Sequence, residues 1–448
     1  MFNFLKKKNG SRVFVVSIDG VPYSFMKEQI ELGRFPNFKR FLDNGDVKRM
    51  NSVQPVISSV AWSSFMTGKN PAKHNIFGFV DQKPGSHDVY IPTAVNMTSD
   101  TIWEIMSRAG KKVFVMNVPV TYPPRHVNGV MIGCFLCTQI EKIASPSSVS
   151  DELKKMGYKI DADAWIAREN LDQFLVEVNT TLEKRVEAMF HYLEKEEWDY
   201  FHTHIMETDR INHFFWEHME RDNPKYAKAF FDFYVRVDEV LGEVEQKIGD
   251  DVEFIVLSDH GFCTIKKEIY LNNYLVDAGL LKFNSSPPKD LNDIHPESIG
   301  YSLIPGRVFV NLEGREPQGS VPLDKYEDAR EKLADVLVNL KEHDTGEPLI
   351  REVIKREDIY EGQNFDSAAD LIAVPHDGYD LKGNVNKEVF GEKGPLVGMH
   401  TFEDSLLYIR NREIHKDRTD LWVGDLAPSI LKLMDVPVPT DMDGVAVF

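Results

Sequence analysis

The sequence predicts an α/β protein with a mainly parallel sheet sandwiched by helices and an inserted α+β cap. Two observations predict the core: apolar strand-like runs alternate with stretches of helical pattern, and polar residues follow several of these runs directly. A β-then-α order favours a parallel sheet with helices on both faces. A third observation predicts the cap, because residues 268–360 contain SSPPKDLND, a short strand-like GRVFVNLEG and a charged helix.

The core elements follow from local patterns. The apolar run at residues 12–18 predicts a buried strand, and similar runs occur at 112–118, 199–206 and 252–257. Helices are predicted at 38–42, 59–66, 101–107, 230–248 and 425–434. The first three end near Asn44-Gly45, Gly68 and Gly110, which are residues that commonly terminate helices. In the fourth, apolar residues recur every three or four positions, as in an amphipathic helix.

These elements give one core domain that a cap interrupts. The core is assigned to residues 10–267 and 361–448, and the cap to residues 268–360, with a helix at 325–343. A strand at 370–374 is expected to rejoin the core sheet.

The charge and the apolar content of the chain indicate which binding partners are expected. The net charge of −19 weighs against tight binding of nucleic-acid polymers or anionic membranes. A small phosphate ester remains compatible, because bound metal cations can reverse the local sign of the charge. No apolar run reaches the roughly 18 residues of a membrane span. The segment MFNFLKKKNGSR has no signal-peptide core, so a cytoplasmic location is expected.

The chain has three cysteines, Cys134, Cys137 and Cys263. A low, odd count argues against a disulfide framework. Cys134 and Cys137 form a C-x-x-C within an apolar run, and we interpret them as structural thiols.

Two candidate residues precede the middle of the chain. Asp19 ends the first strand in VVSIDG, where a carboxylate can bind a metal ion, although Asp-Gly after a strand also occurs as a simple turn. Ser58 falls at or just before a predicted helix N-terminus. The exposed N–H groups and the helix dipole favour a phosphoryl group there. Alternatively, Ser58 is only an N-cap.

Three further motifs carry metal-binding side chains. Asp209 and His213 follow a strand and are four residues apart, so one helical turn points both the same way. Asp259 and His260 follow another strand, and His400 comes after a Gly-rich loop. Carboxylate and imidazole together suit zinc or manganese. With Asp19, the three Asp and three His suffice for two metal sites with open positions.

This ordered set resembles the alkaline phosphatase superfamily, and in particular its type I phosphodiesterase/nucleotide pyrophosphatase-like branch. Other stretches are similar to that branch: VAWSSFMTGKNPAKHNIFGF, ETDRINHFFW, GDLAPSILKLMDVPVPTDMDG and, in the cap, RVFVNLEGREPQG. The resemblance covers nearly the whole chain. It implies an alkaline phosphatase-like core and a metal-dependent phosphoric ester hydrolase.

The resemblance also implies roles for individual residues. It implies two divalent metal ions, zinc or alternatively manganese, with Asp209, His213 and His400 as ligands of one and Asp19, Asp259 and His260 as ligands of the second. Ser58 takes the position of the nucleophile, would form a covalent phosphoserine and would also contact the second metal ion. Many relatives have Thr at this position. The better-known nucleotide pyrophosphatases have an Asn where this chain has Phe79, so the phosphate-oxygen donor is absent or comes from elsewhere.

The expected activity is hydrolysis of a phosphodiester or nucleotide pyrophosphate. A phosphomonoesterase, a phosphonate hydrolase and a phosphotransferase stay open as alternatives, because Lys69, Lys73 and His74 near Ser58 do not decide between them. A sulfatase is disfavoured, since S-S-V-A-W lacks the Pro and Arg of C/S-x-P-x-R. An inactive metal-binding module is also considered. The expected partner is a small phosphate ester, and the oligomeric state is not indicated.

His202 and His204 alternate in the strand DYFHTHIM, so they share a face. They could donate hydrogen bonds behind the site. We interpret them as packed, hydrogen-bonded strand residues, since ligand histidines need convergent partners.

Overall fold

The computed structural model describes residues 10–343, 345–385, 387–415 and 418–448. The expectation that the segment MFNFLKKKNGSR has no signal-peptide core concerns residues 1–12, and residues 1–9 lie outside the described range. At the centre is an eight-stranded sheet, and apolar clusters cover both of its faces. Val13 and Val15 belong to one cluster, whereas Phe14 and Val16 belong to the other, because successive side chains of a strand point to opposite faces. The predicted α/β class is confirmed.

The described residues form the following α-helices: α1 (Tyr23–Glu31), α2 (Pro36–Phe41), α3 (Ser58–Thr67), α4 (Pro71–His74), α5 (Ile102–Arg108), α6 (Ser147–Met156), α7 (Ala164–Glu169), α8 (Leu171–Lys195), α9 (Glu207–Glu220), α10 (Ala227–Ile248), α11 (Leu271–Asp277), α12 (Tyr326–Val338), α13 (Arg356–Ile359) and α14 (Leu426–Leu433). No helix in the described part of the chain combines the length and the apolar character that a membrane crossing requires.

The strands are β1 (Arg12–Ile18), β2 (Gly45–Met50), β3 (Asp81–Gln82), β4 (Val89–Tyr90), β5 (Val113–Met116), β6 (Gly129–Ile132), β7 (Ala144–Ser145), β8 (Tyr200–Ile205), β9 (Val252–Leu257), β10 (Gly261–Thr264), β11 (Lys267–Tyr270), β12 (Gly300–Leu303), β13 (Arg307–Val310), β14 (Ile350–Lys355), β15 (Leu371–Pro375), β16 (Tyr379–Lys382), β17 (Phe390–Gly391), β18 (Gly398–Thr401) and β19 (Ser405–Arg410).

The central sheet has the order β2-β19-β9-β1-β8-β5-β6-β7. Its inner strands β9, β1, β8, β5 and β6 are parallel, and β19, β2 and β7 add antiparallel edges. The four predicted core strands are all present, but the second is shorter than expected. It ends at Met116 because Asn117 takes a positive φ of 67°, which is not a strand conformation.

The strand expected to rejoin the core is in a different sheet. β15 pairs with β13 and β14 in a four-stranded antiparallel sheet of order β12-β13-β15-β14, which has its own apolar cluster. The expectation for residues 370–374 was therefore wrong. Asp370, just before β15, accepts a hydrogen bond from the Val310 N–H at 2.7 Å and pairs with Arg315. We propose that the cap continues beyond residue 360, to about residue 397.

A buried ion pair lies beneath the N-terminus of α9. The Nε of Arg185 is 2.9 Å from Oε1 and 3.0 Å from Oε2 of Glu207, the first residue of α9. Their side chains are 1% and 0% exposed. Because α9 carries Asp209 and His213, this pair anchors the segment that presents them.

We expect Glu207→Ala to lower the free energy of unfolding by about 3–5 kcal/mol, because it leaves the Arg185 guanidinium buried without its carboxylate. Chemical denaturation of the metal-free protein measures the change. Glu183→Ala is the matched control, since the Glu183 side chain, which pairs with Arg236, is 52% exposed. Such an exposed pair contributes less than about 1 kcal/mol. Equal losses in the two variants would contradict the prediction.

Candidate active site

The site lies at the carboxyl edge of the parallel strands. Asp19 follows β1, and the helix after β8 carries Asp209 and His213. Asp259 and His260 follow β9. His400, on β18, pairs in register with Phe262 on β10, which places it beside the β9 end. Parallel strands end at the same edge, so residues distant in sequence meet there.

One group of ligand atoms comes from Asp19, Asp259 and His260, and these atoms lie within 4.8 Å of one another. The Nε2 of His260 is 3.5 Å from Oδ1 of Asp19 and 3.4 Å from Oδ2 of Asp259. All three residues are 0% exposed. The structure thus brings together the three side chains that were expected to bind the second metal ion.

The three side chains expected to bind the first metal ion, Asp209, His213 and His400, also lie close together. Oδ1 of Asp209 is 3.3 Å from Nε2 of His213 and 3.2 Å from Nε2 of His400. The two Nε2 atoms are 3.1 Å apart. His260 is close as well, because ligand atoms of Asp209, His260 and His400 lie within 4.8 Å of one another. The two sets therefore form one continuous cluster.

The three imidazoles of the cluster are oriented by backbone carbonyls. Nδ1 of His213 is 2.9 Å from the Gly398 carbonyl, Nδ1 of His400 is 3.2 Å from the Val56 carbonyl, and Nδ1 of His260 is 2.9 Å from the Gly261 carbonyl. A carbonyl oxygen can only accept, so each Nδ1 donates. In the neutral rings the Nε2 lone pairs then face the centre, as in metal-bound histidines.

The donor set fits divalent cations. Oδ1 of Asp209 and Oδ2 of Asp259 are buried without a hydrogen-bond partner among the described residues. The neighbours of Oδ1 of Asp209 include Nε2 of His213 at 3.3 Å and Nε2 of His400 at 3.2 Å, and both rings use Nδ1 to donate to a backbone carbonyl. Buried carboxylates without partners are costly. A cation in contact with the lone pairs of these atoms would satisfy both the carboxylates and the imidazoles.

Protons partly compensate the charge of the metal-free cluster. Burial, together with repulsion from Asp19, raises the pKa of Asp259 to about 8. Burial would lower the pKa of His260, but the nearby carboxylates of Asp259 and Asp19 outweigh it and raise that pKa to about 9. The proton that His260 holds near neutral pH supplies positive charge where a cation would.

Ser58 is the first residue of α3, and Ile57 occupies the N-cap. The alternative that Ser58 is only an N-cap is therefore wrong. Oγ of Ser58 is 3.1 Å from Oδ1 of Asp19 and 3.1 Å from Nε2 of His260. The N-terminal N–H groups of a helix and its dipole favour an anion at this position.

His202 and His204 are fully buried and lie 2.8 Å from Oγ of Ser17, so they are hydrogen-bonded strand residues as interpreted. His204 also reaches the site, because its Nε2 is 3.1 Å from Oδ2 of Asp19. The three cysteines are free thiols in the structure.

A cavity of about 650 Å³ opens over Ser58, Asp209, His213 and His400. Its walls come from the core and the cap, and they include side chains that sequence reasoning did not assign: Phe135, Trp165, Arg168, Arg210, Ile304, Pro305, Ile372, Val374 and Leu381. Of these residues, Arg210 had a signal in the sequence that could have placed it in the cavity, because it directly follows Asp209 in the ETDRINH motif. Phe79, which is 40% exposed, also lines the cavity.

Comparisons with known proteins agree with the fold and identify the family. A family model described as type I phosphodiesterase/nucleotide pyrophosphatase matches residues 13–403. The fold is similar to phosphonoacetate hydrolase from Sinorhizobium meliloti 1021 in complex with phosphonoacetate, with a TM-score of 0.65, 17% identity and 96% of each chain covered. It is also similar to human ectonucleotide pyrophosphatase/phosphodiesterase 5, with a TM-score of 0.56, 15% identity and 97% of each chain covered.

The fold is similar, too, to an inactive variant of murine ectonucleotide pyrophosphatase/phosphodiesterase 5 in complex with AMP, with a TM-score of 0.56, 16% identity and 96% of each chain covered. A search of curated proteins found no match. The fold and the family match define a phosphoester hydrolase of the alkaline phosphatase superfamily. Within that superfamily, the chain belongs to the type I phosphodiesterase/nucleotide pyrophosphatase family.

Proposed function

We propose that the protein hydrolyses a phosphodiester, with Ser58 as nucleophile, in a centre that holds two divalent cations. One observation carries the proposal. Oγ of Ser58, at the N-terminus of α3, is 3.1 Å from both Oδ1 of Asp19 and Nε2 of His260, within the cluster of carboxylates and imidazoles.

Six side chains would hold the cations: Asp19, Asp259 and His260 for one, and Asp209, His213 and His400 for the other. Mixed nitrogen and oxygen ligands suit zinc, and manganese is the alternative. When bound, the ions would lower the pKa of a nearby hydroxyl and stabilise the charge of phosphoryl oxygens.

The residues of the chain position the reaction. The Ser58 hydroxyl directs its proton to Oδ1 of Asp19, so an Oγ lone pair is free to attack phosphorus. The Ser58 Oγ–P bond forms while the bond from phosphorus to the leaving oxygen breaks. The backbone N–H groups at the start of α3 would bind a non-bridging oxygen. The first organic group departs with the leaving oxygen as an alcohol, and the phosphoserine that remains still carries the second organic group. Water then cleaves the bond from phosphorus to Oγ, which releases the phosphate monoester and restores Ser58.

The charges in the cavity favour a diester over a monoester. A monoester carries an extra negative charge, which monoesterases match with free cationic groups. Here, three of the four described Lys and Arg side chains that line the cavity are already paired: Arg210 with Asp161, Arg351 with Glu403 and Lys382 with Asp380. The fourth, Arg168, lies over the ring of Trp165 and is the one left to meet a phosphate charge. Apolar walls such as Ile372 and Val374 can instead accommodate a second organic group.

A panel of aryl esters tests the proposal. We expect the zinc- or manganese-reconstituted protein to hydrolyse bis(4-nitrophenyl) phosphate with a higher kcat/KM than 4-nitrophenyl phosphate, 4-nitrophenyl phenylphosphonate or 4-nitrophenyl sulfate. Release of 4-nitrophenolate measures all four, and chelated protein is the blank. A tenfold or greater preference for the monoester would overturn the diester assignment. A preference for the phosphonate would identify a phosphonate hydrolase instead.

A further inference from the structure

A row of polar side chains runs along the sheet face beneath α3 and ends at Asp19. β8 places Tyr200, His202 and His204 on one face, because alternate residues of a strand share a face. The register of β1 and β8 pairs Ser17 with His204. All four side chains are 0% exposed. We call Tyr200, His202, Ser17 and His204 the buried chain.

Consecutive members of the buried chain are in hydrogen-bond contact. Oη of Tyr200 is 3.2 Å from Nδ1 of His202, whose Nε2 is 2.8 Å from Oγ of Ser17. Oγ of Ser17 is 2.8 Å from Nδ1 of His204, whose Nε2 is 3.1 Å from Oδ2 of Asp19. This last contact is a close approach of the two atoms without hydrogen-bond geometry, and Nε2 of His204 is buried with no hydrogen-bond partner among the described residues.

Valence indicates one direction for the links when both imidazoles are neutral. The Ser17 hydroxyl is also 3.4 Å from the Thr203 carbonyl, a longer contact than its 2.8 Å to Nδ1 of His204. A carboxylate that holds a metal ion is deprotonated, so Asp19 accepts and Nε2 of His204 donates. A neutral imidazole has one donor and one acceptor, so Nδ1 of His204 accepts from the Ser17 hydroxyl. Oγ of Ser17 in turn accepts from Nε2 of His202. Its Nδ1 then accepts from the Tyr200 hydroxyl, and every proton points towards Asp19.

Oδ2 of Asp19, the carboxylate oxygen next to His204, is not the one that contacts Ser58. Oδ2 of Asp19 accepts a hydrogen bond from Nε1 of Trp62 at 2.9 Å, so this atom lies against two ring nitrogens, those of Trp62 and His204. Oδ1 faces Ser58 and His260. The carboxylate is therefore fixed with one oxygen towards the protein and the other towards the cluster.

We propose that the buried chain is a positioning device that sets the affinity for the metal ion held by Asp19, Asp259 and His260. This inference rests on the proposed metal-binding role of Asp19. His204 is the positioning residue in direct contact with the ligand, and the other members fix its tautomer. Groups that orient a metal ligand in this way typically change metal affinity by about 10–100-fold when they are removed.

Metal affinity is the main test. We expect His204→Phe to weaken the binding of one of two zinc ions by about 10–100-fold, measured by competition with a chromophoric chelator. His204→Gln should recover most of the affinity, because its amide N–H can donate to Asp19. His202→Phe should have a smaller effect, since it breaks the chain one link further away. His87→Phe is the matched control: His87 is also buried, and neither of its ring nitrogens has a hydrogen-bond partner within the part of the chain that the structure describes.

A second measurement does not depend on the variants folding or on metal. ¹⁵N NMR of the imidazoles in the wild-type, metal-free protein should show His202 and His204 protonated at Nε2 and unprotonated at Nδ1. The inference is overturned if either ring carries its proton only on Nδ1, or if folded His204→Phe binds both ions with wild-type affinity. If the wild-type protein binds no divalent ion, the proposed function fails instead.

Discussion

Ser58→Ala is expected to lower kcat for bis(4-nitrophenyl) phosphate by about 10⁴-fold or more, because it removes the only atom proposed to bond to phosphorus. The six carboxylate and imidazole ligands and the backbone at the start of α3 are unchanged, so KM should stay within a few-fold of the wild-type value. Steady-state kinetics of the metal-reconstituted protein measures both constants. Ser58→Thr keeps the hydroxyl and should retain substantial activity.

Ser63→Ala is the matched control for Ser58→Ala. Ser63 is a buried serine of the same helix, and its hydroxyl donates to the Ser59 carbonyl within the helix. A change there tests the effect of losing a serine hydroxyl from α3 without touching the cluster. Mass spectrometry of the acid-quenched wild-type reaction with bis(4-nitrophenyl) phosphate should detect a 4-nitrophenyl phosphoryl group on the peptide that contains Ser58. Turnover by Ser58→Ala at the wild-type rate would refute the covalent mechanism.

Five of the six proposed ligands could be predicted because their motifs are local, whereas His400 reaches the site only through the pairing of β18 with β10. Asp19 and the Asp259-His260 pair directly follow continuous apolar runs, and such runs form buried parallel strands whose ends meet at one edge. Asp209 and His213 needed only the helical spacing that α9 provides. Fold class and site could thus be read from short segments taken together.

Features that depend on pairing between distant segments could not be predicted. The contact between His204 and Asp19 follows from the register of β1 and β8, which no local pattern specifies. The run at residues 371–375 is equally apolar in a core strand or a cap strand, and its partners β13 and β14 decide the outcome. The neutralisation of Arg210 by Asp161 joins residues 49 positions apart.

Removal of divalent ions is expected to abolish turnover and to destabilise the folded protein. Ions that bind only the native state stabilise it by about 4 kcal/mol per site when the free concentration is a thousand times Kd. Dialysis against a chelator should therefore lower Tm, and added zinc or manganese should restore both Tm and activity. Full activity of protein shown to be metal-free would contradict the two-cation centre.

Asp259→Asn should change the stability of the protein in opposite directions with and without metal, which a general packing defect would not do. In the metal-free protein, burial and the neighbouring Asp19 disfavour the charge on Asp259, and they raise its pKa to about 8. Near neutral pH the wild type must therefore take up a proton at Asp259 when it folds, at a cost in free energy that a neutral amide does not have. The metal-free variant should be at least as stable as metal-free wild type. With metal present the order should reverse, because the variant lacks one ligand and binds one ion weakly. Thermal unfolding of both proteins, each with and without zinc, measures this crossover. A variant that is less stable than wild type by the same amount in both states would show that Asp259 serves packing rather than metal binding.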